Sequence, residues 1–330
     1  MEFIRVEDCC EILDSQRKPV TESERVPGMY PYYGANGLQG TINQYIFNDK
    51  IVLVAEDGGH FGSKTKPIAY LVNGKCWVNN HAHVLRAKKG FLAEYICYSL
   101  MFYKIEGYIN GATRQKLTQA ALRKLIIPKR SVEYQKAIVD KLDLVKCIIE
   151  KKQNIINELD LLIKSRFIEM FGDLIINSKC LNTKKLGELF LLKAGITTDS
   201  NDILSYMTSS HKYLCYGGNG VRGYTKYFSY SGTFPLIGRQ GALCGNVQLA
   251  QGSFHATEHA ILVKPLVEYI DVIWAYYALR ALDLFRYHTG AAQPGISVKT
   301  LNNILLPIPI LSEQKKFVLF SNQINKLKFA

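Results

Sequence analysis

An internal repeat constrains this chain more than any other feature of its sequence. Three short motifs of the first half return in the same order in the second half: Tyr-Tyr-Gly-Ala-Asn-Gly at 32–37 as Cys-Tyr-Gly-Gly-Asn-Gly at 215–220, Asn-Asn-His-Ala at 79–82 as Thr-Glu-His-Ala at 257–260, and Gly-Ala-Thr-Arg-Gln at 111–115 as Gly-Ala-Ala-Gln-Pro at 290–294. The copies lie about 180 residues apart, which is far longer than the period of a solenoid repeat. The sequence therefore predicts a duplicated domain.

Length, composition and charge agree with two folded domains and suggest the kind of partner. The 330 residues, of which 48% are hydrophobic, are enough for a core in each domain, so extensive disorder is not expected. The formal net charge of +13 favours a polyanionic partner. Because a protein that binds a membrane surface can be equally basic, the charge alone does not identify that partner.

The sequence is typical of a cytoplasmic protein. We expect no membrane span, because charged residues interrupt every long apolar run, and residues 1–8 lack the apolar stretch of a signal peptide. The eight cysteines include no Cys-x-x-Cys pair, which indicates reduced thiols and neither a disulfide framework nor a zinc cage.

A long helix is predicted between the two copies of the repeat. Residues 132–171 contain no proline or glycine, and apolar residues recur there in steps of four and three. These residues, which we take as the spacer and partner interface, are Ile138, Leu142, Val145, Ile149, Ile156, Leu159, Ile163 and Met170. Lys152 and Arg166 occupy the two intervening positions of the same heptad pattern. A spacing that averages 3.5 residues favours a coiled coil over an amphipathic helix on a globular core.

Proline and glycine residues set the predicted domain boundaries. Pro128 precedes the long helix and Gly172 follows it, and a second, shorter helix is expected from Ser312, a candidate N-cap. The predicted segments are a first domain at 1–131, a central spacer helix at 132–172, a second domain at 173–311 and a short C-terminal spacer helix at 312–330. Short apolar runs such as 51–55 and 260–263 predict strands, and 92–103 and 272–285 predict helices, so each domain should be α+β with a mixed, curved sheet.

The ordered motifs resemble those of the specificity (S) subunit of type I restriction-modification systems. The resemblance covers nearly the whole chain. It rests on the Leu-Gly-Glu segment at 186–188, the repeated Gly-x-Asn-Gly turn and Gly-Ala motif, the Pro-terminated runs at 125–128 and 304–307, and the glutamines Gln135 and Gln314 in the helices that follow. No single motif is specific, but their repetition around a heptad helix is.

This resemblance implies a DNA-reading protein without catalytic activity of its own. Each domain would be a target-recognition domain that contacts one half of a bipartite, asymmetric target in double-stranded DNA. The two helices would pack as an antiparallel coiled-coil spacer. Two methyltransferase subunits would dock on this scaffold and carry S-adenosylmethionine, and a restriction subunit could join them. The chain itself would hold no cofactor.

Searches for catalytic motifs agree with a non-catalytic role. The sequence has no Asn-Pro-Pro-Tyr segment for amino methylation, and Gly-Ser-Lys-Thr at 62–65 lacks the spacing of a phosphate-binding loop. His-Ala-Thr-Glu-His at 255–259 matches a zinc-protease signature, but that chemistry needs both histidines on one helical face. Because the surrounding sequence predicts strands, we expect no metal site there.

Candidate DNA-binding residues follow from the chemistry of base recognition. Arg and Lys bind guanine edges or phosphates, Asn and Gln read adenine, and glycine-rich turns let a backbone approach the duplex. The candidates are Asn36, Gln39, His60, Lys64, Lys66, Asn80, His81, Arg114 and Gln115 in the first domain, and Asn219, Arg222, Lys226, Arg239, Gln240, His255, Glu258, His259 and Gln293 in the second. Asn36 and Asn219 could instead stabilise turns, and Lys64 and Lys66 could be solvated charges.

Two other interpretations remain open at the level of the sequence. The chain could be the recognition half of a fused or type II-like restriction-modification enzyme, or a repeat-built scaffold that binds protein partners. A DNA reader must lose affinity steeply as salt is added, whereas a protein-binding scaffold need not, so salt dependence separates those two.

The second spacer helix departs from the S-subunit pattern, in which the two helices have similar lengths. A helix of about 18 residues spans about 27 Å and could cover only the 156–170 part of the first helix. Ile138, Leu142, Val145 and Ile149 are therefore expected to form an uncovered apolar stripe, which a methyltransferase subunit or a second copy of the chain would cover. The alternative is that the first domain folds back over it.

Overall fold

The computed structural model describes residues 2–111, 114–290 and 294–328. These residues fall into two compact units that meet in sequence between Lys151 and Lys152. None of the helices in this described part combines the length and the apolarity that crossing a membrane requires. The central residues of both Gly-Ala motifs, at 112–113 and 291–293, lie outside the described residues.

The first unit is built from short strands, three helices and the start of a long helix. Its strands are β1 (Phe3–Arg5), β2 (Cys10–Ile12), β3 (Tyr30–Gly34), β4 (Gly37–Ile42), β5 (Phe47–Ala55), β6 (Ala69–Val78), β7 (Ala82–Ala87), β8 (Ile109–Asn110), β9 (Lys116–Leu117) and β10 (Ile126–Pro128). Its helices are α1 (Val6–Cys9), α2 (Ala93–Met101), α3 (Gln119–Lys124) and the first part of α4 (Val132–Phe171).

A six-stranded mixed sheet forms the centre of the first unit, in the order β2-β7-β5-β6-β3-β4. Its pairs are antiparallel except β3 and β6, which run parallel with Tyr32 opposite Trp77. The run 51–55 in β5 is buried on both faces: Val52 and Val54 face the core that contains helix α2, and Ile51 and Leu53 face a second cluster. Burial on both faces explains why this strand reads as a continuous apolar run.

The second unit contains the end of α4 and its own set of short elements. Its strands are β11 (Asn182–Lys185), β12 (Phe190–Ala194), β13 (Tyr213–Gly217), β14 (Gly220–Thr225), β15 (Tyr230–Gly238), β16 (Val247–Ala256), β17 (Ala260–Pro265) and β18 (Leu305–Ile308). Its other helices are α5 (Leu186–Leu189), α6 (Val272–Ala281), α7 (Val298–Asn302) and α8 (Leu311–Leu327).

The second unit repeats the sheet of the first strand for strand. Its order is β12-β17-β15-β16-β13-β14, and its parallel pair is β13 with β16. The register shifts between Cys215 and Tyr216, as it does between Tyr32 and Tyr33. The hairpin turns before β4 and β14 each end on a glycine with φ near +100°, at Gly37 and Gly220, which disfavours a residue with a side chain. The predicted duplication and the α+β fold class are confirmed.

A buried glutamine fixes the start of α4 and of α8. Gln135 Oε1 accepts a hydrogen bond from the backbone N–H of Leu92, the N-cap residue of α2, at 2.8 Å, and its Nε2 donates to the carbonyls of Gly90 and Arg130. Gln314 makes the same three bonds, to Asp271 N–H and to the carbonyls of Tyr269 and Pro309. Both side chains are fully buried. Each amide therefore joins the first turn of a spacer helix to its own unit.

Helix α8 packs antiparallel on the C-terminal part of α4. Phe317 lies edge-on to Phe167 and Phe171, with ring centroids 5.2 and 5.7 Å apart, while Lys328 Nζ lies 2.5 Å from an Asp160 carboxylate oxygen. The start of α8 therefore contacts the end of α4, and the end of α8 contacts an earlier part of α4. These contacts confirm the predicted antiparallel pair. The helix begins at Leu311, one residue before Ser312, so the prediction of Ser312 as N-cap was wrong.

The contact face of α4 differs in part from the heptad prediction. The heptad pattern placed Arg166 on that face, but Phe167 fills the position and is only 3% exposed. Ile163, Phe167 and Phe171 are spaced by four residues, which is about 400° of helical rotation per step. The contact face therefore turns by about 40° around α4 at each step and departs from the 3.5-residue heptad pattern.

The apolar stripe on the N-terminal part of α4 is partly covered. Ile138 packs beside Val139 against the core of the first unit, so the expectation that it would be uncovered was wrong. Leu142, Val145 and Ile149 are exposed, as are all the remaining residues from 141 to 155.

A substitution of Gln314 by Glu tests the glutamine anchor. The side chain keeps its size, but an ionised carboxylate cannot donate to the carbonyls of Tyr269 and Pro309. We expect Gln314→Glu to lower the free energy of unfolding of the second unit by about 2–4 kcal/mol. Urea unfolding followed by Trp274 fluorescence in a Trp77→Phe background measures it. The exposed neighbour Lys315→Gln should change stability by less than about 0.5 kcal/mol.

Candidate nucleic-acid interface

Several connecting segments of the first unit converge on one surface. Asn36, in the turn between β3 and β4, donates from Nδ2 to the carbonyl of Gly58 in the β5–β6 loop at 3.0 Å. Asn79, in the turn between β6 and β7, donates from Nδ2 to Gln39 Oε1 at 3.1 Å. Because β3 and β6 run parallel, their ends lie side by side, and the Asn79 N–H donates to the Tyr33 carbonyl.

Asp57 is the centre of this surface. Its Oδ1 accepts from Arg114 Nη2 at 2.7 Å and lies 2.8 Å from His81 Nδ1. A carboxylate oxygen only accepts, so these contacts put a proton on His81 Nδ1 and hold the Arg114 guanidinium beside the ring. We define the first loop cluster as Asn36, Gln39, Asp57, His81 and Arg114.

A buried ionic network lies beneath the first loop cluster. His83 is fully buried, with Nδ1 2.6 Å from Asp14 Oδ2 and Nε2 2.8 Å from the carbonyl of Leu117. Glu56 accepts from Arg17 at 2.6 Å and from Lys116 at 3.0 Å. The network therefore connects the segment after β2, the end of β5, strand β7 and the β8–β9 hairpin.

The acidic groups of this network stay ionised despite their burial. Burial by itself raises the pKa of Asp14, but hydrogen bonds from His83, from the Val84 N–H and from Gln119 lower it overall. Burial likewise raises the pKa of Glu56, and its bonds from Arg17 and Lys116 lower it overall. Asp14, Glu56 and His83 lie close enough together to hold a metal ion, but Arg17 and Lys116 already supply the compensating positive charge.

The second unit has an equivalent loop cluster with different side chains. The backbone N–H of Arg239 donates to the His259 carbonyl at 2.8 Å, and in the first unit the N–H of Glu56 donates to the His81 carbonyl at 2.9 Å. The next residues along the chain, Gln240 and Asp57, are therefore equivalent. Gln240 Oε1 lies 3.0 Å from His259 Nδ1.

We define the second loop cluster as Asn219, Arg222, Gln240 and His259. These residues line a recess with a volume of about 510 Å³. Glycines at 218, 220 and 241 and Val221 complete the lining. The second unit therefore offers an open recess lined by glycines and polar side chains.

The buried network of the first unit has no ionic counterpart at the matching sheet position of the second. Ala194 and Ile261 are paired there, where the first unit has Asp14 and His83. The same fold thus accommodates either ionic or apolar residues beneath its loops.

His255 is corrected from a candidate DNA contact to a core residue. It is fully buried in β16, its Nε2 lies 2.8 Å from Thr198 Oγ1, and burial lowers its pKa. Cys215 lies opposite it in the parallel pair, as Tyr32 lies opposite Trp77, so His255 takes the place of a core tryptophan.

The remaining candidates lie around the two clusters. Asn80, Lys64, Lys66 and Gln115 in the first unit and Lys226 in the second are exposed, whereas His60, Arg239 and Glu258 are half-buried. Gln293 lies outside the described residues. The sequence interpretation missed Asp57, Asn79 and Lys116. For Asp57 a signal existed, because it comes two residues after the buried run of β5.

Comparison with known proteins gives consistent matches. A family model described as type I restriction modification DNA specificity domain matches residues 1–161 and 178–327. The EcoprrI specificity subunit of Escherichia coli, a type I restriction enzyme subunit, is 44% identical over 131 residues, which are 40% of this chain and 32% of that protein. The putative type I specificity subunit S.HindORF215P of Haemophilus influenzae is 35% identical over 143 residues, 43% of this chain and 37% of that protein.

These matches span about a third of the length of the curated relatives. A solved structure also resembles the fold of the whole chain. The crystal structure of the S subunit of a type I restriction-modification system from M. genitalium superposes with a TM-score of 0.63 at 17% identity, covering 99% of this chain and 90% of that one.

The Asp14 carboxylate should make the stability of the first unit depend on pH. Its pKa in the folded protein is lower than the ordinary 3.8, so its contribution is present above that value and is lost as the pH falls through the folded pKa. We expect Asp14→Asn to cost about 1–3 kcal/mol at pH 7, and the difference from wild type to shrink below pH 3.8.

Urea unfolding followed by Trp77 fluorescence in a Trp274→Phe background measures this effect. Asp8→Asn, which changes an exposed carboxylate, is the control and should leave the pH profile unchanged. A constant deficit of Asp14→Asn from pH 7 to 3 would contradict a stabilising charge at this position.

Proposed function

Because this chain belongs to the family of type I restriction-modification DNA specificity domains, we propose that it is the sequence-specific DNA-recognition subunit of a type I restriction-modification complex. Each unit reads one half of a bipartite, asymmetric target. The observation that carries this proposal is that the same loop frame occurs twice with different polar side chains at its equivalent positions.

The shared part of the frame is suited to positioning and the variable part to reading. Asn36 and Asn219 occupy equivalent turns, and His81 and His259 make equivalent contacts. Asp57 is replaced by Gln240, however, which changes the hydrogen bonds offered at that point. Side chains that offer different hydrogen bonds distinguish the polar groups on different base edges, whereas contacts with phosphates carry no sequence information.

The charge of the chain supports a nucleic-acid partner. A net charge of +13 attracts the phosphate backbone from solution and stabilises binding by releasing counterions. The exposed Lys64, Lys66 and Lys226 flank the clusters in sequence, and their role in this proposal is to contact phosphates.

The helices α4 and α8 set the distance between the two half-sites and dock the other subunits. The exposed Leu142, Val145 and Ile149 offer apolar surface on α4. Two methyltransferase subunits cover this surface and hold S-adenosylmethionine, and a restriction subunit can join the complex. In this proposal the chain itself supplies no catalytic group and no cofactor site, and it works in the cytoplasm.

Exchange of one unit tests the division of labour. Residues 186–307, which begin at the first residue of α5 and end within β18, are replaced by the matching segment of another such protein. We expect one half of the recognised sequence to change and the other half to stay the same, because each loop cluster is built within its own unit.

Selection from a randomised duplex library at two salt concentrations measures this outcome. The wild-type chain is the control, and its affinity should fall steeply with added salt. A change in both halves of the selected sequence, or salt-independent binding without a preferred sequence, would contradict the proposal.

An insertion in α4 tests its role as a spacer. Four residues added after Lys151 lengthen the helix by about 6 Å, nearly two base-pair rises of about 3.4 Å, and keep its phase within about 40°. The insertion lies in the exposed stretch 141–155. We expect the gap between half-sites to grow while both half-sites keep their sequence. Four alanine substitutions in the same stretch, without insertion, are the control and should leave the gap unchanged.

A further inference from the structure

Gln39 and Arg222 occupy the same place in their two units. In the first hairpin Tyr33 pairs with Leu38, and in the second Tyr216 pairs with Val221. The next residue along each strand, Gln39 or Arg222, therefore stands at the same register, beside the same bulge. Both side chains are exposed.

A glycine lets each of these side chains lie across its hairpin. A Cβ on Gly34 would come within 2.3 Å of Gln39 Nε2, and a Cβ on Gly217 within 2.5 Å of Arg222 Cδ. Neither glycine needs a positive φ, so the missing side chain, and not the backbone conformation, is what the site requires. The hairpin is thus shaped to hold an exposed side chain in a defined place.

The neighbours of the two side chains differ in a way that suits their chemistry. Asn79 Nδ2 donates to Gln39 Oε1 at 3.1 Å, which fixes the orientation of the amide and leaves a second lone pair on Oε1 free. The equivalent residue in the second unit is Thr257, whose buried Oγ1 has no hydrogen-bond partner among the described residues. Arg222 lines the recess of its unit.

We propose that residues 39 and 222 are equivalent specificity-determining positions, at which Gln39 selects an adenine and Arg222 a guanine at the same relative place in each half-site. This inference rests on the proposed function. The oriented amide of Gln39 offers one acceptor and one donor, which match N6 and N7 of adenine. The guanidinium offers only donors, which match O6 and N7 of guanine and cannot accept from the N6 amino group of adenine.

A reciprocal exchange tests the inference. Gln39→Arg with Asn79→Thr gives the first unit the side chains of the second, and Arg222→Gln with Thr257→Asn does the reverse. Selection of the full-length chain from a randomised duplex library gives the preferred base at every position. In the Gln39→Arg, Asn79→Thr variant, we expect one base pair of the first half-site to change from A·T to G·C, with about ten- to a hundred-fold preference. In the Arg222→Gln, Thr257→Asn variant, we expect one base pair of the second half-site to change from G·C to A·T.

Three further variants keep the test decisive. Leu38→Val changes the exposed neighbour of Gln39 at the preceding position and should leave the A·T and G·C preferences intact. Gly34→Ala should displace the Gln39 amide and weaken the preference for adenine at that one position. If Gln39→Arg does not bind, Gln39→Ala decides, because it should bind and lose the preference at that base pair.

Failure of this inference differs from failure of the proposed function. A wild-type chain that selects no sequence would overturn both. A wild-type chain that selects a bipartite sequence, with exchange variants that select the same one, would overturn only the assignment of residues 39 and 222. Changes spread over several base pairs would overturn that assignment as well.

Discussion

A fully buried glutamine amide at the first turn of each spacer helix is the interaction on which the architecture of each unit depends. A buried amide without partners is costly, but Gln135 and Gln314 each satisfy one acceptor and two donors with backbone groups. The three backbone groups belong to two separate segments of the unit. The bonds form together only when the spacer helix enters at one angle, so the direction in which each helix leaves its sheet is specified by geometry and not only by apolar contact.

The two units show that one backbone can carry different chemistry beneath and on its loops. The buried Asp14–His83 pair of the ionic network is replaced in the second unit by an apolar pair, Ala194 with Ile261. Burying charged groups is rarely more stabilising than burying apolar groups of similar size. The network instead joins the β8–β9 hairpin, which carries Lys116, to the body of the first unit. Rigid loops lose less conformational entropy when they meet a ligand. Under the proposed function, this network would therefore favour recognition more than stability.

The internal repeat and the long stretch without proline or glycine predicted the structure well, whereas the patterns within single strands and helices predicted burial less well. The repeat, the α+β class and the long helix follow from motif order and from the absence of proline and glycine over 132–171. Both glutamine anchors lie seven residues after a proline, at Pro128 and Pro307, so their equivalence was visible in the sequence. Which faces are buried depends on tertiary contacts. A strand exposes alternate residues, but no local pattern states that His255 replaces Trp77 in the core.

Contacts between distant segments account for the other differences. Asp57 contacts His81 and Arg114, which lie 24 and 57 residues further along the chain. No periodicity links such residues, so a carboxylate that organises a polar surface resembles, in the sequence, an ordinary loop residue. Ile138 was misassigned for a similar reason, because the heptad pattern gives its helical face and not what that face contacts.

The parallel pairing of β3 with β6 has a consequence for folding. Tyr32 and Trp77 are 45 residues apart, and Cys215 and His255 are 40 residues apart, so each pairing closes a long loop before it gains any contact. The β3–β4 hairpin pairs residues that are only 3 to 12 positions apart, so we expect it to form first. The turn that carries Asn36 and Gln39 is therefore set beside Asn79 only in a late step. A partly folded unit would have a core but no complete loop cluster. Under the proposed function, the chain could not select a DNA sequence before its sheet is finished.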